Sequence, residues 1–305
     1  MPRFLPRRAL GRTGFHVTRL GIGDLADRNV PFAEGVATLR RALDAGLNLI
    51  DTAPGYEDGL SEALVGAALE GRRQGVFVID KVDHLDRPVA PQVRESLDRL
   101  GLPAVDLFVF HGVSTLPAWE ALVAPGGGME QLLAEQRAGR TRFRGLSSHH
   151  PEVLLAALGS GTCDVVMFPI GPFADPRYER EVLPLARRLG VGTVCFKTFG
   201  AGKLLCDTEG YQRPLQARPR GKVSSGGGAP TRELPHLEVQ ECLDYTLTLD
   251  PDVALLGLSF PGEQDQAFAA AEAFAGPLGE EALQDLRARA AAAMQGKGAC
   301  WWNPP

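Results

Sequence analysis

Short apolar runs alternate along this chain with stretches that carry apolar residues at helical spacing, and few architectures accept that rhythm. The runs lie at 19–23, 47–51, 76–80, 105–110, 143–147, 164–169, 191–196 and 253–258. The intervening segments 33–45, 60–70, 89–100, 129–138, 151–158, 178–189 and 237–248 show the 3.6-residue period. Ser61, with Glu62 in the turn that follows, reads as a helix start, and Gly46, Gly101, Gly139 and Gly190 follow helix ends. Strands that alternate with helices pair in parallel, and eight such units close a (β/α)8 TIM barrel. A doubly wound open sheet is the rival. It usually carries a Gly-x-Gly-x-x-Gly loop after its first strand, and none follows Leu20. Residues 7–18 read as an N-terminal β-hairpin turning at Thr13-Gly14, and residues 1–305 as one α/β barrel.

Three segments break the rhythm. Residues 112–128 read as a loop that holds Trp119 and ends in Gly126-Gly127-Gly128. Residues 203–235 are rich in Pro, Gly, Arg and Ser, with Arg213, Arg218, Arg220 and Lys222 among them. The tail 296–305 carries Trp301 and Trp302. The first two follow strands, so they are expected as long βα loops over the barrel mouth, where they either close over a ligand or form plain surface loops.

Bulk properties narrow the class further. The chain is 44% hydrophobic and 23% charged with a net charge of −5, which argues against a nucleic-acid surface. No apolar run is long enough to span a bilayer, and residues 1–8 lack the apolar core of a signal peptide, so a cytoplasmic protein is expected. Cys163, Cys195, Cys206, Cys242 and Cys300 contain no Cys-x-x-Cys pair, which excludes the common zinc and iron–sulfur spacings and suggests reduced thiols. Cys163 and Cys195 read as buried small hydrophobes, and Cys206 sits in a loop.

Four polar residues end or closely follow three successive runs: Asp51, Tyr56, Lys81 and His111. Groups at the carboxyl ends of parallel strands gather on the one face of a barrel where chemistry is done. A free tyrosine, with a pKa of about 10, is a poor acid at neutral pH. A neighbouring ammonium stabilises the phenolate, and a carboxylate fixes that ammonium in place. A histidine alongside can orient a carbonyl. Such a set polarises a carbonyl and protonates the alkoxide as hydride arrives, and the hydride must come from a cofactor. Singly, each residue has a structural explanation: a rim aromatic, a solvated charge, a satisfied strand-end histidine.

At this point the chain resembles the aldo-keto reductase family over nearly its whole length. Arg8-Ala9-Leu10-Gly11-Arg12-Thr13-Gly14 with Val17-Thr18-Arg19-Leu20-Gly21-Ile22-Gly23 resembles the family's opening hairpin and first strand. Asp51-Thr52-Ala53, Tyr56, Ser61-Glu62 and Gly66 resemble its Asp-Thr-Ala signature; Asp106-Leu107 to His111-Gly112 and Gly145-Leu146-Ser147 resemble strands four and five. The resemblance implies a catalytic tetrad of Asp51, Tyr56, Lys81 and His111, with tyrosine as the acid.

The resemblance also implies NADPH, with NADH as the alternative, laid across the barrel mouth without a Rossmann fold. The positions it points to are Gly23, Asp51, Ser147, Ser148, Phe168, Phe196, Lys197, Thr198, Phe199, Gly200, Gly202, Leu204, Gly257, Ser259 and Gln264. Phe196 falls where a family aromatic stacks on nicotinamide, and 199–204 resembles the loop around the pyrophosphate, whose glycines let N–H groups approach phosphate. The chain departs from the family at Ser148, in place of asparagine, and at Phe168, in place of the glutamine on strand six. After strand eight it offers Ser259 and Gln264, with Glu263 and Asp265 beside them, instead of a Lys or Arg for the 2′-phosphate. Ala267 and Phe268 stand where Glu and Asn often grip the adenine. Three explanations follow: the basic residues of 213–222 supply the charge, NADH is used, or the cofactor binds weakly.

The leading reading is a nicotinamide-dependent reductase of an aldehyde or ketone. The alternatives are a lyase or isomerase using the same residues for proton transfer, and a non-catalytic binding barrel. Trp119, His149, Phe173, Trp301 and Trp302 form an aromatic pocket or else serve packing. A metal role for His149-His150 is not expected, since no further ligand has suitable spacing. The substrate and the oligomeric state are not readable from the sequence.

Overall fold

The computed structural model describes residues 1–23, 27–28, 30–205, 235–258, 261–297, 300 and 302–303. Eight parallel strands close a barrel: β3 (Leu20–Gly23), β4 (Leu49–Asp51), β5 (Phe77–Val82), β6 (Val105–Phe110), β7 (Thr141–Ser147), β8 (Val165–Pro169), β9 (Gly192–Phe196) and β10 (Val253–Leu256), the last pairing back onto β3. β1 (Arg8–Ala9) and β2 (His16–Val17) form the antiparallel hairpin ahead of it, which turns through a short 3₁₀ segment and Gly14 at φ 72°. The closed (β/α)8 fold expected from the sequence is the one observed.

Side chains on each strand alternate between two apolar layers. Leu49, Phe77, Ile79, Leu107, Val109, Val165, Met167, Val194, Val253 and Leu255 fill the barrel interior. Leu10 and Val17 of the hairpin join that cluster, so the hairpin plugs the amino-terminal end of the barrel. The alternate strand residues, among them Ile50, Val78, Phe108, Leu146, Val166, Phe168 and Cys195, face the surrounding helices. This two-residue period decides which strand-end residues enter the mouth.

The helices are α1 (Phe32–Asp44), α2 (Leu60–Leu69), α3 (Val89–Leu100), α4 (Leu116–Val123), α5 (Gly128–Arg137), α6 (Pro151–Gly159), α7 (Leu183–Leu189), α8 (Val239–Leu249), α9 (Pro261–Ala273) and α10 (Glu280–Met294). The expected loop 112–128 is corrected by α4. Thr115 caps α4 by accepting the Ala118 N–H, Pro117 stands in its first turn, and Trp119 and Leu122 bury one face in the core. Trp119 is therefore packing and not part of a mouth pocket. α10 closes a separate apolar cluster with α8, where Leu283, Leu286 and Ala290 meet Tyr245, Leu204 and the buried Trp302. Trp302 also meets Phe173 edge to face at 6.2 Å, and the Asn303 side-chain oxygen accepts the Asp175 N–H.

The buried Lys297 is an unusual clamp. Its ammonium donates to the carbonyls of Lys203 at 2.7 Å and of Pro235 at 3.2 Å, while the Leu237 N–H bonds the Leu204 carbonyl. Residues 206–234, with Cys206 and the basic positions 213–222, lie outside the described residues, as do Ser259 and Trp301. Cys163, Cys195 and Cys242 are buried, and burial pushes the Cys163 thiol up to about 12.

Helix α2 carries Ser61 and Glu62 under the mouth and is seated by a glycine. A Cβ on Gly66 would stand 2.2 Å from the Leu100 carbonyl oxygen at the end of α3. Gly66→Ala should therefore lower stability by about 1–3 kcal/mol through forced separation of the two helices, read as a fall in denaturation midpoint.

Candidate active site

Lys81 is the centre of the site. It follows Phe77 and Ile79 on the inward face of β5 and is only 2% exposed. Its ammonium donates to both Asp51 oxygens, at 2.7 and 2.8 Å, and to the Thr52 carbonyl at 2.7 Å. Three acceptors satisfy three N–H donors, which is what a buried ammonium requires. Burial raises the Asp51 carboxyl pKa, against the pull of the Lys81 charge. Gly23 lies beside Asp51 on the neighbouring strand, and a Cβ there would stand 3.1 Å from that of Asp51.

Tyr56 lies over this pair. The Lys81 nitrogen is 4.5 Å from the Tyr56 ring centroid, and the His111 ring meets the same ring edge to face at 5.6 Å. His111 follows directly on β6, on the inward face that Leu107 and Val109 occupy earlier in the strand. The structure thus brings Asp51, Tyr56, Lys81 and His111 together at the carboxyl ends of β4, β5 and β6.

Asp83 is a member that sequence reading missed. One carboxylate oxygen stands 2.5 Å from His111 Nδ1, and the other accepts the Gly55 N–H at 2.7 Å. Burial would raise the Asp83 pKa, but the hydrogen bonds from His111 and Gly55 and the Lys81 charge hold it below the usual carboxylate range. Burial, with Lys81 adding to it, lowers His111 below 6.5 despite Asp83. The signal was available: Asp83 is two residues past Lys81, on the same face of an extended chain.

The turn after Tyr56 is strained. Glu57, Asp58 and Gly59 run left-handed, with φ of 51°, 50° and 85°. For non-glycine residues that conformation costs about 1–2 kcal/mol each. Arg28, from the loop after β3, reaches across to Glu57 at 3.1 Å and also bonds Asp58, and the Glu57 side chain is only 4% exposed. Beyond the turn, Thr52 donates to Ser61 at 2.8 Å and the buried Glu62 pairs with Arg99, which anchor α2 beneath the site.

The positions expected to hold a cofactor divide. Ser147 continues the inward face of β7 after Gly145, and Phe196 ends β9 partly exposed against the interior cluster, 5.2 Å from the His149 ring. Lys197 follows at φ 75°, and the buried Thr198 hydroxyl has no hydrogen-bond partner among the described residues. These surround the mouth. Phe168 does not: it faces the helices, wholly buried and stacked on Tyr178 at 5.7 Å, and the inward residue of β8 is Met167. Ser148 is also turned inward to structure, donating to the Val113 carbonyl at 2.6 Å and accepting the His150 N–H. Gln264 is wholly buried between α1 and α9, donating to the Thr38 carbonyl at 2.9 Å and accepting from Arg41 at 3.1 Å.

The loop after β9 is held by its own backbone. Gly200, Ala201 and Gly202 have φ of 56°, 55° and 82°. The N–H groups of Gly200, Gly202, Lys203 and Leu204 bond carbonyls of Lys197, Phe199 and Gly200 within the loop. The glycines therefore shape a tight turn, with Phe199 partly buried and Leu204 wholly buried beneath it. Gly257 lies exposed just past β10.

Residues 19–251 match the model of the aldo/keto reductase family. The chain belongs to this family. A pyridoxal 4-dehydrogenase of Microbacterium luteolum is 28% identical over 256 residues, 68% of this chain and 74% of its own length. An aldo-keto reductase of Mycolicibacterium vanbaalenii is 30% identical over 268 residues, 79% of this chain and 88% of its own. The holo form of a Bacillus halodurans aldo-keto reductase superposes with a TM-score of 0.70 at 25% identity, covering 96% of this chain and all of the other. Family membership makes the chain an NAD(P)H-dependent oxidoreductase, which sets aside the lyase, isomerase and binding-barrel readings.

Two measurements follow. Arg28→Ala removes the cation facing Glu57 and should destabilise the protein by about 1–3 kcal/mol. Glu57→Gly in that background should restore most of the loss, because glycine adopts the left-handed turn without strain. His149, in the mouth, is lowered to about 3 by burial, with Lys197, His111 and His150 adding to it. The unfolded chain binds this proton first, so stability falls as pH drops from about 6.5 towards 3. At pH 5 the loss is at most about 2 kcal/mol, and His149→Phe should flatten that part of the melting-temperature profile.

Proposed function

We propose that this barrel reduces an aldehyde or ketone to an alcohol with Tyr56 as the general acid. The observation that carries the reading is the Lys81 ammonium, held by Asp51 and Thr52, at 4.5 Å from the Tyr56 ring. A cation fixed there stabilises the phenolate left when the Tyr56 hydroxyl proton passes to the carbonyl oxygen. His111 borders the same space and positions the carbonyl. Asp51 fixes the ammonium, and Asp83 fixes the imidazole.

The partner molecule is a small carbonyl compound, and the protein is read as cytoplasmic. None of the described helices is long and apolar enough to cross a membrane. A nicotinamide cofactor, when bound, supplies the hydride. The orphaned Thr198 hydroxyl and the partly exposed Phe196 ring at the mouth fit such a group. With Gly23, Ser147 and Lys197 they are the residues proposed to hold it. NADPH is the family expectation and NADH the alternative; an Escherichia coli relative, 28% identical over 224 residues, is described as an NADH-specific methylglyoxal reductase. Glu263 in the first turn of α9 and Asp265, paired with Arg41, disfavour a further phosphate near that helix start.

Tyr56→Phe should lower turnover by about 10²–10⁴-fold while leaving the cofactor dissociation constant within a few-fold. Calorimetric titration of the unmodified protein with NADPH and with NADH, at matched ionic strength, reads the preference directly. Binding of neither would defeat the assignment.

A further inference from the structure

The loop after β8 and helix α10 leave between them a cleft of about 430 Å³, within the range that small ligands occupy. Pro172, Phe173 and Pro176 give it apolar walls, and Arg180 and Arg287 give it two cations. Asp175 is the one carboxylate among its described lining residues, and both of its oxygens accept from Arg177. None of Asp51, Tyr56, Lys81 and His111 lines it.

The two guanidiniums are held differently. Arg287 is fixed: its Nε donates to the Tyr245 hydroxyl at 2.6 Å, and its Nη2 pairs with Glu179, which also accepts from Tyr245 at 2.9 Å. Its Nη1 has no acceptor among the described residues, and the side chain is 25% exposed. Arg180 follows Glu179 in a π-helical turn (Tyr178–Val182), where the Leu183 N–H bonds the Tyr178 carbonyl. Such turns are rare and recur at functional sites. Here Glu179 faces inward to Tyr245, while Arg180 is exposed and its side chain makes no hydrogen bond or ion pair among the described residues.

We propose that this cleft binds a small organic anion, with a carboxylate held by Arg180 and Arg287 and an apolar body laid on Phe173 and the prolines. A guanidinium presents paired N–H donors that match the two oxygens of a carboxylate. Arg287 needs no reorganisation to do so, because Tyr245 and Glu179 already hold its plane. Arg180 brings a charge that no described carboxylate meets. An inorganic anion would use the cations and leave the walls bare, and a neutral apolar molecule would leave Arg180 unmet. A carboxylate with an apolar body uses both. Phe173 meets Trp302 edge to face at 6.2 Å, and Trp302 packs with Leu204 and Leu286, so a ligand on Phe173 is felt at the Trp302 indole. The site goes beyond the reductase reading, and neither depends on the other.

The test titrates the unmodified protein, without cofactor, with benzoate and with benzamide, its uncharged counterpart of the same shape, at matched ionic strength. Calorimetry should show saturable benzoate binding, with benzamide weaker by about tenfold or more. The Trp302 indole N–H resonance, assigned with Trp302→Phe, should shift with the same benzoate midpoint. Arg180→Met removes an exposed side chain with no partner among the described residues, so the fold is kept. It should weaken benzoate binding by about tenfold, and Arg180→Lys should recover part of the loss. Tyr56→Phe should bind benzoate as the unmodified protein does. Absence of benzoate binding, equal binding of benzoate and benzamide, or full affinity in Arg180→Met overturns the proposal. Binding that is lost in Tyr56→Phe and kept in Arg180→Met would put the benzoate in the barrel mouth, which overturns the cleft assignment and leaves that of Tyr56 standing.

Discussion

Burying an ammonium inside a barrel is tolerable only if its donors are all met, and the acceptors of Lys81 come from the neighbouring strand end, Asp51, and the residue after it, Thr52. An uncompensated buried charge would cost several kcal/mol. The pairing register of β4 with β5 is therefore tied to the chemistry, because Asp51 pairs with Ile79 on the strand that delivers Lys81 two residues later. A slip of one residue would turn Lys81 outward into the helix layer and leave it among apolar groups. Stability of the barrel and placement of the tyrosine's cation are one requirement.

The same alternation explains what could and could not be seen in the chain alone. Asp51, Lys81 and His111 are polar residues terminating or following apolar runs, and each such break marks both a strand end and a face. Met167 and Phe168 sit in an unbroken apolar run, which has no polar landmark to set its phase, and the inward residue was displaced by one. Ser148 and Gln264 have the right chemistry for a ligand, but their partners, the Val113 and Thr38 carbonyls, lie 35 and 226 residues away in sequence. Only the folded chain reveals that they are engaged. α4 was hidden because its short span, with a proline in its first turn and Pro125 and three glycines just past it, resembles a loop until Trp119 and Leu122 are seen to share one face.

The surroundings of Tyr56 show how much of a reactive geometry is held from outside it. Asp83 links the Gly55 N–H to His111, and Arg28 braces the left-handed residues 57 and 58. Neither touches the Lys81–Asp51 pair, yet both determine where the phenol and imidazole stand. Strain in such a turn persists only where neighbouring contacts over-determine it, and the ion pairs of Arg28 do so here.

Lys297 has a different kind of consequence. One ammonium bridges the Lys203 and Pro235 carbonyls, so the chain leaves the barrel and re-enters it at points fixed to each other. Closure entropy rises only logarithmically with the length of chain between such points, by about 0.6 kcal/mol for each doubling. The number of residues between these two carbonyls is therefore only weakly constrained by the framework, so long as Leu204 and Leu205 keep their buried places in the cluster with α8 and α10.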